Sequence, residues 1–88
     1  MDGLIMTCYV PELDTLDVWF GDMDAEVESK EVGDGIILKL GENGEEIGVE
    51  IVGLSKTSKE DLAGLPFEVR KMVLEIAKKM SVATARLS

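Results

Sequence analysis

The chain has 88 residues, with 18 acidic and 9 basic side chains, no histidine, one cysteine and a formal net charge of −9. That length gives one domain with a thin core, and the lone cysteine allows no internal disulfide, so an oxidising compartment has no support. Without histidine the chain lacks the usual neutral-pH base, the commonest metal ligand, and every Ser-His-Asp or Cys-His arrangement within one copy.

In chain order, LIMTCYV (Leu4–Val10) favours a strand and carries no breaker until Pro11, which cannot donate to a ladder. Leu4, Met6, Cys8 and Val10 fall on one face, and Ile5, Thr7 and Tyr9 on the other. PELDT is a turn, and LDVWF (Leu16–Phe20) is a second strand with Leu16, Val18 and Phe20 opposite Asp17 and Trp19. After the turn GDMD, AEVESKEV (Ala25–Val32) reads as an edge strand, because its charges discourage edge-to-edge aggregation. GDG turns into IILKL (Ile36–Leu40), and Asn43-Gly44 is a strong hairpin signal leading into EIGVEIVGL (Glu46–Leu54). If those two residues form the tip, Leu38 faces Val49 and Lys39 faces Gly48, leaving Lys39 free to reach Glu46 or Glu50 diagonally.

The period then changes. Ser58 and Asp61 have capping-box spacing ahead of a short helical turn over Lys59–Ala63. Pro66 suits the first helical position, and Val69, Met72, Val73, Ile76, Ala77 and Met80 recur at helical spacing. The expected fold is α+β: one domain over residues 1–88, with a small antiparallel β-meander of about five strands (4–56), a C-terminal amphipathic helix (58–80) and a tail (81–88).

Charge is unevenly spread. Residues 1–54 hold 14 acids and 2 bases, net −12, whereas residues 55–88 hold 4 acids and 7 bases, net +3. The acidic β region excludes phosphate-backbone binding and suits a basic protein partner or simple solubility. No apolar run spans a bilayer, no basic n-region marks a signal peptide, and the expected compartment is the cytoplasm. A 45% hydrophobic content is high for so small a core, so a homo-oligomer is expected, with a dimer favoured.

Few residues stand out chemically. Cys8, amid apolar neighbours, is expected to be a small buried hydrophobe. Asp22, Asp24 and Glu26 alternate as in a calcium loop, but Val27 and Gly33 occupy the places of its glycine and its bidentate glutamate, so no metal is assigned. No Gly-rich phosphate loop precedes a helix, and no cofactor is expected. Glu50, within a strand, fits a cross-strand pair better than a buried catalytic carboxylate, with Asp14 and Asp17 as its candidate companions. Trp19 with Tyr9 and Ile5 forms a second apolar patch, to be buried under the helix or used as an interface. The helix stripe Val69, Met72, Val73 and Ile76 covers this chain's own sheet or a neighbour's.

YVPELDTLDVWF resembles the signature hairpin of a prokaryotic family of small proteins of unknown function (domain-of-unknown-function family 2283), whose usual form is Tyr-Asp-Pro-Glu-x-Asp-x-Leu-Tyr-Ile-x-Leu. Tyr9, Pro11, Glu12, Asp14 and Leu16 match. Val10 replaces the usual Asp, Asp17 sits where Tyr is common, and Val18 takes the place of Ile. Gly48–Ile51 resembles the family's Gly-Ile-Glu-Ile strand, and Ser55-Lys56 follows where the family has Ala-Ser-Lys. The resemblance covers about residues 4–56, and the helical part after it is longer than usual. It implies a small β-meander, often oligomeric, with no established activity. Members that lie beside small basic ribonuclease-type toxins suggest, by analogy, an antitoxin-like acidic partner of a basic protein. Val10 removes an acid and weakens the idea of a shared catalytic carboxylate. The leading expectation is therefore a non-enzymatic protein-interaction module; the alternatives are a small enzyme or ligand binder using Glu50 and the hairpin acids, and a purely structural homo-oligomer.

Overall fold

A computed structural model describes residues 5–79. The start of the first predicted strand at Leu4, the helix end at Met80 and the tail 81–88 lie outside the described residues. Five strands form: β1 (Met6–Val10), β2 (Thr15–Trp19), β3 (Glu28–Gly33), β4 (Ile36–Leu40) and β5 (Glu46–Val52). Short 3-10 turns follow at Leu54–Lys56 and Asp61–Gly64, and helix α1 runs over Phe67–Lys79. Pro66 directly precedes α1, and its carbonyl accepts the first helical hydrogen bond from Arg70 N (2.9 Å). The Ser58–Asp61 capping spacing is realised in both directions: Ser58 N and Oγ donate to Asp61 Oδ2 (2.9 and 3.1 Å), and Asp61 N donates to Ser58 Oγ (3.4 Å).

All pairings are antiparallel, and the spatial order is β1-β2-β5-β4-β3. This departs from the sequential order of a plain meander. The β3-β4-β5 portion is a meander, and the β1-β2 hairpin is added to its β5 side. Segment 20–27 therefore crosses the ends of β5 and β4 to reach the far edge, about 14 Å at the usual strand spacing. It contains a 3-10 turn at Met23–Ala25, and Val27 N is already bonded to Leu40 O at 3.0 Å. The charged β3 occupies an edge, as its composition anticipates.

Leu38 pairs with Val49 and Lys39 with Gly48, as expected, but Asn43-Gly44 is not a two-residue tip. The turn spans residues 41–44, with Gly44 N bonded to Gly41 O and Gly41 N to Glu45 O, and only Gly44 of the pair has a positive φ. A one-residue shift between Lys39 and Leu40, which pairs with Glu46, brings the strands into the expected register. One sheet face is apolar. Leu16, Val18, Ile36, Leu38, Val49 and Ile51 are buried in a single cluster with Leu54, Leu62, Leu65, Val69, Val73 and Ala77. The helix thus covers its own sheet. The 3-10 turn at Asp61–Gly64 lies so close to β3 that Gly33 abuts the Asp61 carbonyl and Gly64 abuts the Val32 carbonyl, with no room for a side chain at either. The Gly64→Ala variant is expected to lose about 1–3 kcal/mol, the cost of overpacking a tight contact, read as a lower urea midpoint at unchanged slope.

Candidate functional site

Two polar constructions stand out, and they lie apart. The first is built on Asp14, the last residue of the β1–β2 turn, which adopts a left-handed backbone with φ 52°. That conformation is tolerable for Asp because its short side chain bonds locally. The Asp14 carbonyl accepts from Gly53 N and Leu54 N, both at 2.9 Å. Its carboxylate accepts from Ser55 Oγ (2.6 Å) and Ser55 N (3.0 Å) on Oδ2, and from the Tyr9 hydroxyl (2.8 Å) on Oδ1. Asp14 therefore clasps the first turn to the chain leaving β5. The hydrogen bonds from Ser55, then that from Tyr9, hold its carboxyl below the usual carboxylate range, and donating to the same carboxylate pushes the Tyr9 hydroxyl up.

The second construction is on the sheet face that α1 leaves uncovered. Asp17 on β2 is directly opposite Glu50 on β5, and Cys8 is opposite Asp17 on β1. Lys39 on β4 ion-pairs with Glu50 (3.4 Å) and with Glu26 (3.5 Å) from the segment before β3. Its ammonium also lies 5.8 Å from the centre of the Trp19 ring, within cation–π range. That ring rests on Gly48, its cross-strand partner, where an added side chain would collide with it. Burial and the facing Glu50 raise the Asp17 carboxyl, and Lys39 lowers it less. Lys39 thus satisfies Glu50 and Glu26 while Asp17 remains against a like charge, an unfavourable cross-strand pair.

These placements revise several expectations. Cys8 is exposed, not buried, because among the described residues no element covers the face it shares with Asp17 and Trp19. Tyr9 and Trp19 do not form one patch: Tyr9 pairs with Leu16 and packs toward the core, whereas Trp19 pairs with Met6 on the outer face. For the same reason Trp19 does not lie under the helix. Val69 and Val73 are buried against their own sheet, with Met72 and Ile76 partly buried beside them. Asp14 and Glu50 belong to separate constructions, and Asp17 is the acid brought to Glu50. Asp22 Oδ1 accepts from Asp24 N at 2.9 Å and caps the Met23–Ala25 turn. Among the described residues no cluster of three or more Cys, Asp or Glu has a metal-binding arrangement, and no helix is long and apolar enough to cross a membrane. A depression of about 140 Å³ is lined by Asp34, Val52, Gly53, Lys56, Thr57 and Asp61; it includes neither Asp17 nor Glu50 and is small beside ordinary ligand pockets. The Asp14 clasp was not foreseen as such. Its sequence signal was the pairing of Tyr9 and Asp14 in one motif with Ser55 in another.

The fold and the two polar constructions define a small α+β protein, a five-stranded antiparallel sheet with a helix on one face. The family model for a protein of unknown function (DUF2283) matches residues 8–55, more than half of the chain, and the chain belongs to that family. No match was found among curated proteins or solved structures.

The two aspartates have opposite pH signatures. The lowered Asp14 carboxyl contributes stability that is present above the unfolded-state value and is lost as pH falls through the folded-state one. Asp14→Asn, which keeps tolerance of the left-handed turn, should cost about 1–2 kcal/mol at neutral pH, allowing for partial exposure. That difference should shrink on acidification in urea melts. The raised Asp17 carboxyl has the reverse effect: stability is greater below the unfolded-state value and falls as pH rises through the folded-state one. Asp17→Asn should therefore stabilise at neutral pH by up to about 1 kcal/mol, with the gain vanishing in acid.

Proposed function

We propose that this chain is a non-enzymatic protein-interaction module of the cytoplasm whose uncovered sheet face docks a basic protein, an antitoxin-like neutralising role. The observation that carries this reading is the Asp17–Glu50 pair, two carboxylates held opposite each other on a face that no element among the described residues covers. A partner's arginine or lysine seated between them would turn an unfavourable contact into a favourable one. Glu26 and Glu31 flank the pair, and Lys39 is already engaged by two glutamates, so the face is acidic on balance. Trp19 and Met6 beside it supply apolar anchor area of the kind that dominates interface energetics. A catalytic reading draws less support, because the depression formed by described residues is lined by neither acid.

The test is capture from the native cell by the tagged full chain. A Lys/Arg-rich protein is expected to be retained in a salt-sensitive manner and lost about tenfold or more with Asp17→Lys. That variant should fold, since it places lysine opposite Glu50. Capture of no basic protein, or capture that Asp17→Lys leaves unchanged, overturns the proposal.

A further inference from the structure

The two edges of the sheet differ in how they are protected. β3 carries Glu28, Lys30 and Glu31, has a register shift near Gly33, and is braced by the 3-10 turn whose backbone meets Val32 and Gly33. These are the usual devices against edge-to-edge pairing. β1, at the other edge, reads MTCYV and has none of them. It carries no charge, proline or bulge, and its register with β2 is unbroken from Met6 to Val10. Among the described residues no strand pairs with its outer side. Ile5 and Met6, at 50% and 53% exposure, are large apolar residues left in solvent at this edge.

We propose that β1 is a self-pairing edge: two copies of the chain join antiparallel through β1 about a two-fold axis at Cys8, forming one continuous sheet of ten strands. The strand suits itself as its partner. In that register Cys8 faces Cys8 of the second copy, Met6 faces Val10, and Thr7 faces Tyr9, so apolar side chains align along the outer face and no charge opposes a like charge. The nearest acids in line are the two Asp17 residues. They stand three strand spacings apart, about 14 Å, beyond the Debye length of about 8 Å at physiological salt. The net charge of −9 per chain therefore does not forbid the contact. Main-chain hydrogen bonds supply its affinity, as in other strand additions, and a closed two-fold pair leaves no further β1 edge exposed. The two-fold axis stands perpendicular to the sheet, so both acidic faces end on the same side. The pairing is independent of the docking reading and would double the surface available to it.

The experiment is sedimentation velocity of the full chain under reducing conditions over a wide concentration range, with Cys8→Lys and Met6→Lys alongside. Both replaced side chains are exposed, and lysine on an edge strand blocks pairing. Wild type is expected to dimerise with concentration. Each variant is expected to weaken the dimer at least tenfold with an unchanged circular-dichroism spectrum, and Met6→Lys decides alone if Cys8→Lys does not fold. Facing Cβ atoms in such a pair lie about 5 Å apart, so a short bis-maleimide should couple two wild-type chains through Cys8. A wild type that stays monomeric at millimolar concentration overturns the proposal. So does a dimer that both variants leave intact, or one that dissolves on adding salt, which would assign association to the charged faces instead.

Discussion

The architecture depends on one residue placed at a turn, through both its carbonyl and its carboxylate. Asp14 ends the β1–β2 hairpin, yet its hydrogen bonds reach forward to Gly53, Leu54 and Ser55. Those residues are where the chain leaves β5 and starts toward the 3-10 turns and the helix. β2 and β5 are neighbours in the sheet, so the clasp closes the end of that pairing and directs the following segment to the apolar face. The hydrophobic term then acts on a chain already aimed correctly: Leu54, fully buried, follows Gly53 directly, and Leu62, Leu65, Val69, Val73 and Ala77 continue the same surface. Fixing this junction matters because a chain this short has little buried area with which to offset the entropy of ordering.

The matching blocks of the family signature acquire a physical meaning from this arrangement. Tyr9 and Asp14 from the first block meet Ser55 beyond the second. Leu16 is in the core, Gly48 seats the Trp19 ring, and Glu50 pairs with Lys39. The residues that make the chain resemble its family are thus occupied in joining the hairpins and spacing the strands. They mark a way of folding. Val10 in place of an acid is compatible with that view, because the clasp uses Asp14 and leaves position 10 out.

Most of the secondary structure was legible because it rests on local chemistry. Asn43-Gly44 marked the β4–β5 turn, although its register is reached through a one-residue shift, Gly33-Asp34-Gly35 marked the β3–β4 turn, and the helical stripe follows from spacing alone. The strand order was not legible, because no turn specifies the second neighbour of β2; the clasp that closes the β2–β5 pairing joins Asp14 and Ser55 across 41 positions. One clue was present. A strand as charged as β3 belongs at an edge, and in a sequential order of five it would sit in the middle. Cys8 and Tyr9 were misplaced for a related reason: alternation along β1 separates two faces, but only the tertiary structure says which one the helix covers. The Lys39–Glu50 contact was foreseeable because register confines a long lysine to a few neighbours. The Asp17–Glu50 opposition was not, since it needs β2 beside β5.

That opposition also sets the electrostatic character of the molecule. Across the uncovered sheet face, Asp17, Glu26, Glu31 and Glu50 are set against Lys39, whereas the solvent side of the helix carries Arg70, Lys71, Lys78 and Lys79 against Glu68 and Glu75. Arg70 and Lys71 lie 5.8 and 5.6 Å from the ring centre of the exposed Phe67. The core therefore separates an acidic layer from a basic one. Such a molecule presents opposite fields to partners approaching from its two sides, and steering by those fields acts on association rate and falls with salt. β1 is the boundary where neither field dominates, since its five residues carry no charge. Charge selects what meets the faces, and its absence from β1 leaves backbone hydrogen bonding and apolar contact to decide what meets the edge.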